Sequence, residues 1–315
     1  MFESRESLIR SFIEYRKISG RWSRTYEINL NSFDTYCKER FHDDSLSQIM
    51  VDEWLIQRKT ESKASCNART QVVRTFIAYL QERKLTSIIL PAPIIAPPNQ
   101  YIPHSFSENE LVAFFEEGDR LVKEAENSDH AFSALTSTVL FRTLYSSGMR
   151  TTEARLLRVS DVDLIHGIAS INNTKANLQH YVVFHDDTRT MLERYNNVAT
   201  RVYPQRLYFF PSSENGFITN QNLRYRFRKI WNKVSSDRAV PYDLRHAYAI
   251  TNINSWIDSG VDFHDKFLYL SKSMGHTKLE STKYYYSLVP TFAETIYRQS
   301  GKDFDSIVPE VPRNG

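Results

Sequence analysis

Glycine is scarce in this chain, nine in 315 residues, and no two stand in the G-x-G spacing of a dinucleotide-binding turn. A G-x-x-x-x-G-K-[ST] phosphate loop is missing as well, so the sequence argues against nucleotide-driven chemistry. Cysteine is scarcer still. Cys37 and Cys66 stand in no metal-like pairing and follow no secretory leader, which points to a reduced, cytosolic protein with no metal site and no cofactor. No apolar run approaches the ~18 residues of a membrane span. Nor is one sign of charge dominant: the net charge is +3, too small to indicate a nucleic-acid partner by itself. What the chain does have is a 41% apolar fraction, enough for real cores, in a length that suits two domains.

Residues 5–84 read as four helices with apolar stripes. The first pairs Leu8, Ile9, Phe12 and Ile13 and stops near Gly20. The second, behind Ser23, carries Tyr26, Leu30, Phe33 and Cys37, and a shorter third holds Ile49, Met50, Trp54 and Leu55. From about Ser65 the fourth aligns Val72, Val73, Phe76, Ile77 and Leu80. Arg69, Arg74, Arg83 and Lys84 are expected on the opposite faces, where Arg69 and Arg74 are candidates to meet DNA, although basic faces are more often simply solvated. Five of the eleven prolines, Pro91, Pro93, Pro97, Pro98 and Pro103, then fall within 91–103. That density blocks helix and sheet pairing alike and marks a linker between domains 1–90 and 104–300, with 301–315 as a tail.

Ser107-Glu-Asn-Glu110 has the capping-box pattern and starts a helix through Leu121. A long apolar helix from Ala131 to Tyr145 runs into Ser146-Ser-Gly-Met-Arg150 and Thr-Thr-Glu153. An arginine so placed is deep in the domain and needs an acceptor, for which Glu153 is the candidate, either as a structural ion pair or as support for a working cation. Ile168–Ile171 and His180–Phe184 flank a polar turn and read as a hairpin with Lys175 near its tip. A helix around Thr188–Tyr195 follows, then a possible third strand over Leu207–Phe210. From Gln221 to Ser236 the chain has Arg224, Arg226, Arg228, Lys229 and Lys233, aromatics between them and no acid. A helix docked in a DNA groove requires such a surface.

The densest chemistry lies between Pro241 and Tyr286. Pro241-Tyr-Asp-Leu-Arg-His246 brings a guanidinium able to grip phosphate oxygens, and Met274-Gly-His276 brings an imidazole. Tyr284, Tyr285 and Tyr286 supply phenols, any of which can act as a nucleophile where positive charge stabilises its phenolate.

Gly148-Met-Arg-Thr-Thr-Glu153, Asp243-Leu-Arg-His246 and Gly275-His276 with a tyrosine nine residues later resemble, in order and spacing, the tyrosine recombinase (phage integrase-like) family. The likeness covers most of the chain. It implies a mainly α fold with a small β-sheet: a helical, SAM-like core-binding domain that clamps DNA, plus an α+β catalytic domain. By that resemblance Arg150 and Arg245 are the two catalytic arginines, Glu153 supports the first, Lys175 is the general acid for the leaving 5′-hydroxyl, and His276 binds the phosphate. Tyr285 stands at the family spacing for the nucleophile, with Tyr284 and Tyr286 separated from it by register alone. Tyr242 occupies a position where the family commonly has histidine.

The resemblance further implies metal- and ATP-independent cleavage and rejoining of a duplex recombination site. It implies a homo-tetramer on DNA, a monomer or weak oligomer when free, and a C-terminal tail that docks on a neighbouring subunit or on its own domain. With no obvious extra domain before residue 5, a simple recombinase is favoured. A type IB topoisomerase, or a DNA-binding relative that has lost the chemistry, are the rival expectations.

Overall fold

The computed structural model describes residues 4–90, 92–93, 102–172, 179–256 and 263–275. The chain divides into two compact units, Met1–Tyr101 and Ile102–Gly315.

The first unit is built from α1 (Arg5–Ile18), α2 (Arg24–Phe41), α3 (Gln48–Leu55) and α4 (Lys63–Glu82). Serines start three of these helices: the hydroxyls of Ser4, Ser47 and Ser62 accept from backbone N–H groups in the first turns. The apolar stripes meet around Phe12, Leu30, Phe33, Trp54 and Phe76, all at most 3% exposed. Each such side chain contributes about 1.5–3 kcal/mol of burial. Arg5 is fully buried, its Nε donating to Asp34 Oδ1 at 2.7 Å and one terminal nitrogen to the carbonyls of Asp43 and Ser45.

Arg69 corrects the sequence expectation. It does not lie on an outward face; it is 9% exposed. Its guanidinium donates to Glu61 at 2.8–2.9 Å, to the Ile56 carbonyl at 3.0 Å and to the Trp54 carbonyl. With its donors engaged in tying α4 to the loop after α3, Arg69 is a structural clamp rather than a DNA contact. Arg74 is half-buried, and Arg83 stacks on Tyr79.

The second unit contains α5 (Glu108–Lys123), α6 (Ser128–Ser147), α7 (Thr151–Arg155), β1 (Val162–Asp163), β2 (Ile168–Ile171) and β3 (His180–Val183). It continues with α8 (Asp186–Val202), β4 (Pro211–Ser213), β5 (Gly216–Phe217), α9 (Asn220–Val234), α10 (Asp243–Trp256) and α11 (Phe263–Ser273). The expected capping box is formed: Ser107 Oγ accepts from the Glu110 N–H, and Glu110 accepts from the Ser107 N–H at 2.8 Å. Helix α6 runs through the core, with Val139, Leu140, Phe141 and Leu144 at most 4% exposed. Its polar residues are buried too, and Thr136, Ser137, Thr143 and Ser147 satisfy themselves by donating to carbonyls one turn back.

Strands β1, β2 and β3 form an antiparallel sheet in that order, with Ile168 opposite Val183 and Ile171 opposite His180. The third strand is therefore β1, not Leu207–Phe210. In that segment the backbone bends at Phe209 and Phe210, both at most 1% exposed, and forms no strand. Tyr208 makes only an isolated bridge to Arg158. Among the described residues no helix is long and apolar enough to cross a membrane.

Candidate functional site

Helix α6 ends at Gly148, whose left-handed backbone (φ +64°) turns the chain sharply into α7. The turn is tight because a Cβ on Gly148 would lie 2.3 Å from the Tyr248 ring of α10. Arg150 emerges directly after it, at the N-cap of α7. Glu153 accepts from the Arg150 backbone N–H at 2.8 Å and from its guanidinium at 2.6 Å, with the carboxylate side chain only 1% exposed. The same carboxylate thus fixes both the backbone and the side chain of Arg150.

Arg245 comes from the first turn of α10, three residues before Tyr248, so the two share one helix face. Asp243 Oδ2 accepts the Val240 N–H at 2.9 Å and fixes the entry to that helix. The Arg245 guanidinium donates to the Gly148 carbonyl at 2.6 Å and to the Met274 carbonyl at 2.7 Å. Arg150 donates to the neighbouring Gly275 carbonyl at 2.6 Å. Both arginines therefore grip one turn, Met274–Gly275, at the end of α11 and immediately before His276 in the chain. Two guanidiniums this close repel, so the carbonyl acceptors and the Glu153 charge are what allow them to coexist.

The two differ in access. The Arg150 side chain is 25% exposed, whereas Arg245 is fully covered. In the described structure Arg150 is thus the arginine with surface to offer an anion, and Arg245 contributes a buried positive charge beside it.

Tyr242 is 38% exposed and packs edge-on against His246, ring centroids 5.0 Å apart. His246 itself is buried, as expected of a structural residue, and burial, with the Arg245 charge second, pushes its pKa down to about 4. Burial pushes the Tyr248 phenol up. Lys175, His276, Tyr284, Tyr285 and Tyr286 lie outside the described residues.

Sequence reading missed His180. It opens β3, faces inward as Val182 does, and lies against Gly275: a Cβ there would meet its ring atoms at 2.6, 2.8 and 2.9 Å. Its Nε2 is 4.0 Å from Glu153 Oε2. The strand alternation that puts Val182 inside was the available signal.

The basic helix α9 divides into two faces. Leu223, Phe227, Ile230 and Trp231 are buried, and Arg224, Tyr225, Arg228, Lys229 and Lys233 are exposed. Arg226 departs from the expected DNA-facing set. It turns inward and donates to the Ser133 carbonyl at 2.9 Å and Ser137 Oγ at 2.7 Å, joining α9 to α6.

Residues 114–290 match the model of the phage integrase family. The chain is 25% identical over 287 residues to a putative integrase/recombinase, y4rE, from Sinorhizobium fredii, covering 88% of this chain and 89% of that protein. It is 24% identical over 300 residues to the tyrosine recombinase XerC of Bacillus subtilis, covering 90% and 92%. Among solved structures, the Tn1549 transposon integrase in complex with transposon right-end DNA aligns with a TM-score of 0.63 at 14% identity, over 95% of this chain and 99% of that one. The XerH site-specific recombinase bound to a palindromic difH substrate aligns with a TM-score of 0.60 at 16% identity, over 89% and 79%.

Proposed function

The chain belongs to the phage integrase family, as a tyrosine recombinase that breaks and rejoins DNA, and on that premise we propose that it recombines a specific duplex site through a 3′-phosphotyrosine intermediate. The observation that carries this reading is the convergence of Arg150 and Arg245 on the turn that leads into His276. Cleavage adds negative charge to the non-bridging oxygens of the scissile phosphate. A cluster of fixed cations stabilises that charge more in the transition state than in the ground state.

In this mechanism Arg150 and His276 bind the phosphate and Glu153 holds Arg150 in orientation. Arg245 supplies charge from beneath and braces the turn. The Tyr285 phenol loses its proton to water as its oxygen attacks phosphorus in line, forming the tyrosyl ester as the bond to the 5′-oxygen breaks, and Lys175 protonates that leaving oxygen. Attack by the freed 5′-hydroxyl of a partner strand reverses the step, so the exchange conserves ester bonds and needs no ATP. Tyr242, in the position where histidine is common in the family, hydrogen-bonds a phosphate oxygen. The exposed cations of α9, Arg224, Arg228, Lys229 and Lys233, with Arg74 in the first unit, neutralise backbone phosphates. The working assembly is a homo-tetramer on DNA in the cytoplasm. The biological task is integration or excision of a mobile element, or resolution of replicon dimers.

A duplex carrying the recombination site with a nick beside the scissile phosphate tests the reading, because the short downstream strand diffuses away and the covalent complex is trapped. The proposal expects a covalent adduct that the Tyr285→Phe variant does not form. Specific binding of wild-type protein without an adduct would instead identify a DNA-binding relative without the chemistry.

A further inference from the structure

Three observations meet at His180. Its imidazole lies flat against Gly275, close enough that a Cβ on that glycine would sit 2.6–2.9 Å from three ring atoms. Gly275 is the residue whose carbonyl takes the Arg150 guanidinium at 2.6 Å, and its φ of +63° is one that side-chain-bearing residues rarely adopt. The carboxylate that orients Arg150 from the other side, Glu153, is 4.0 Å from His180 Nε2. The ring is therefore packed beneath the turn and beside the carboxylate that together define where the arginine points. It is held there by the β2–β3 ladder, in which His180 pairs with Ile171, and its side chain is 11% exposed.

We infer that His180 is a positioning residue for DNA strand cleavage: its ring is the floor that sets the height of the Met274–Gly275 turn and so the aim of Arg150 at the scissile phosphate. This rests on the phosphotyrosine reading above. Removing the ring leaves a gap under the turn, and the Gly275 carbonyl can sink away from the guanidinium it orients. A displacement of about 1 Å in a group that positions the reacting phosphate is worth up to ~100-fold in rate. The contact with Gly275 is one of ring volume, so another flat ring is expected to hold the turn at its height. The glycine and the ring are also matched: a methyl group at 275 requires the space that the imidazole occupies.

The test measures single-turnover cleavage of the nicked site by full-length His180→Ala, His180→Phe, Gly275→Ala and the His180→Ala/Gly275→Ala double variant, each shown to be folded by circular dichroism and to bind the site. The same site with sulfur replacing the bridging 5′-oxygen is used in parallel, since a thiolate leaves without needing a proton. The expected result is a ~10–100-fold slower cleavage by H180A on both substrates, with DNA affinity unchanged and most of the rate recovered in H180F. The double variant should be faster than G275A alone. Three results would overturn the inference: folded H180A cleaving at the wild-type rate, H180F as slow as H180A, or a defect confined to the oxygen substrate, which would assign His180 to leaving-group protonation. If H180A does not fold, H180F and the glycine pair still decide the matter. Wild-type protein that binds the site and never becomes trapped fails the parent reading, and this one with it.

Discussion

Arg245 donates to the carbonyl of Gly148 across 2.6 Å, joining the first turn of α10 to the turn that presents Arg150 two residues later. The contact spans 97 positions of sequence. It makes the placement of each arginine depend on the other: Gly148 is held by Tyr248 and Arg245 from the same helix face, and Arg150 follows rigidly from Gly148. The electrostatic consequence is a pair of cations on one turn, with a buried carboxylate serving one of them.

Replacing Arg150 by Ala should lower the rate of covalent trapping by about 100–1000-fold, equivalent to about 3–4 kcal/mol of lost transition-state stabilisation. Site affinity should change little, because the cations proposed to meet the DNA backbone, on α9 and at Arg74, are retained. Glu153→Gln should have a smaller effect of the same kind, measured by single-turnover cleavage, since it leaves the guanidinium present and less firmly oriented.

Gly148→Ala should destabilise the second unit by about 2–4 kcal/mol, from the left-handed backbone and from the collision with the Tyr248 ring. Thermal unfolding checks this. A Tm within a degree of wild type would mean that the turn is looser than described.

Arg69 and the exposed arginines of α9 should respond oppositely to mutation. Arg69→Ala removes the partner of Glu61 and should cost about 3 kcal/mol of stability in the first unit while leaving the salt dependence of DNA binding unchanged. Arg224→Ala or Arg228→Ala should leave stability nearly unchanged. Each should reduce the slope of log K against log[salt] by about 0.9, one phosphate contact's worth. Arg226→Ala should behave like Arg69→Ala. Urea unfolding together with a salt titration of binding separates the two classes.

The second unit should lose stability in mild acid through His246. Burial holds its folded pKa at about 4, below the 6.5 of an exposed imidazole. As pH falls through that interval the unfolded chain takes up a proton that the folded chain refuses, so stability is full above pH 6.5 and declines toward pH 4, by an amount on the order of 2 kcal/mol. Unfolding followed at pH 7.5 and pH 5 should show the decline in wild type and a reduced one in His246→Asn.

Much of the helical frame was legible because its signals are local. Ser107 and Glu110 cap one helix reciprocally, and the apolar spacing of α4 matched its buried face, whereas the aromatics between the cations of α9 divide, with Phe227 and Trp231 inside and Tyr225 exposed. The two misplaced arginines show where residue type misled. Arg69 stands four residues before Val73, and Arg226 three after Leu223 and four before Ile230, so both lie on the buried stripe by spacing. Their charge suggested an outward face, but their long side chains reach carbonyl and hydroxyl acceptors inside. The pairing of Arg150 with Glu153 was readable because an arginine set deep in a domain needs an acceptor close in sequence. The packing of His180 beneath Gly275 was not, because it depends on strand register across 95 residues and on the shape of a turn. Phe209 and Phe210 read as strand from their apolar, aromatic character, whereas the backbone bends there.

The most direct measurement replaces the negatively charged scissile phosphate with a neutral methylphosphonate and compares cleavage by Arg150→Ala and wild type on both substrates. If the guanidinium acts by meeting charge on that phosphate, its removal should cost far less on the neutral substrate than the ~100–1000-fold expected on the charged one. An equal loss on the two substrates would contradict the account.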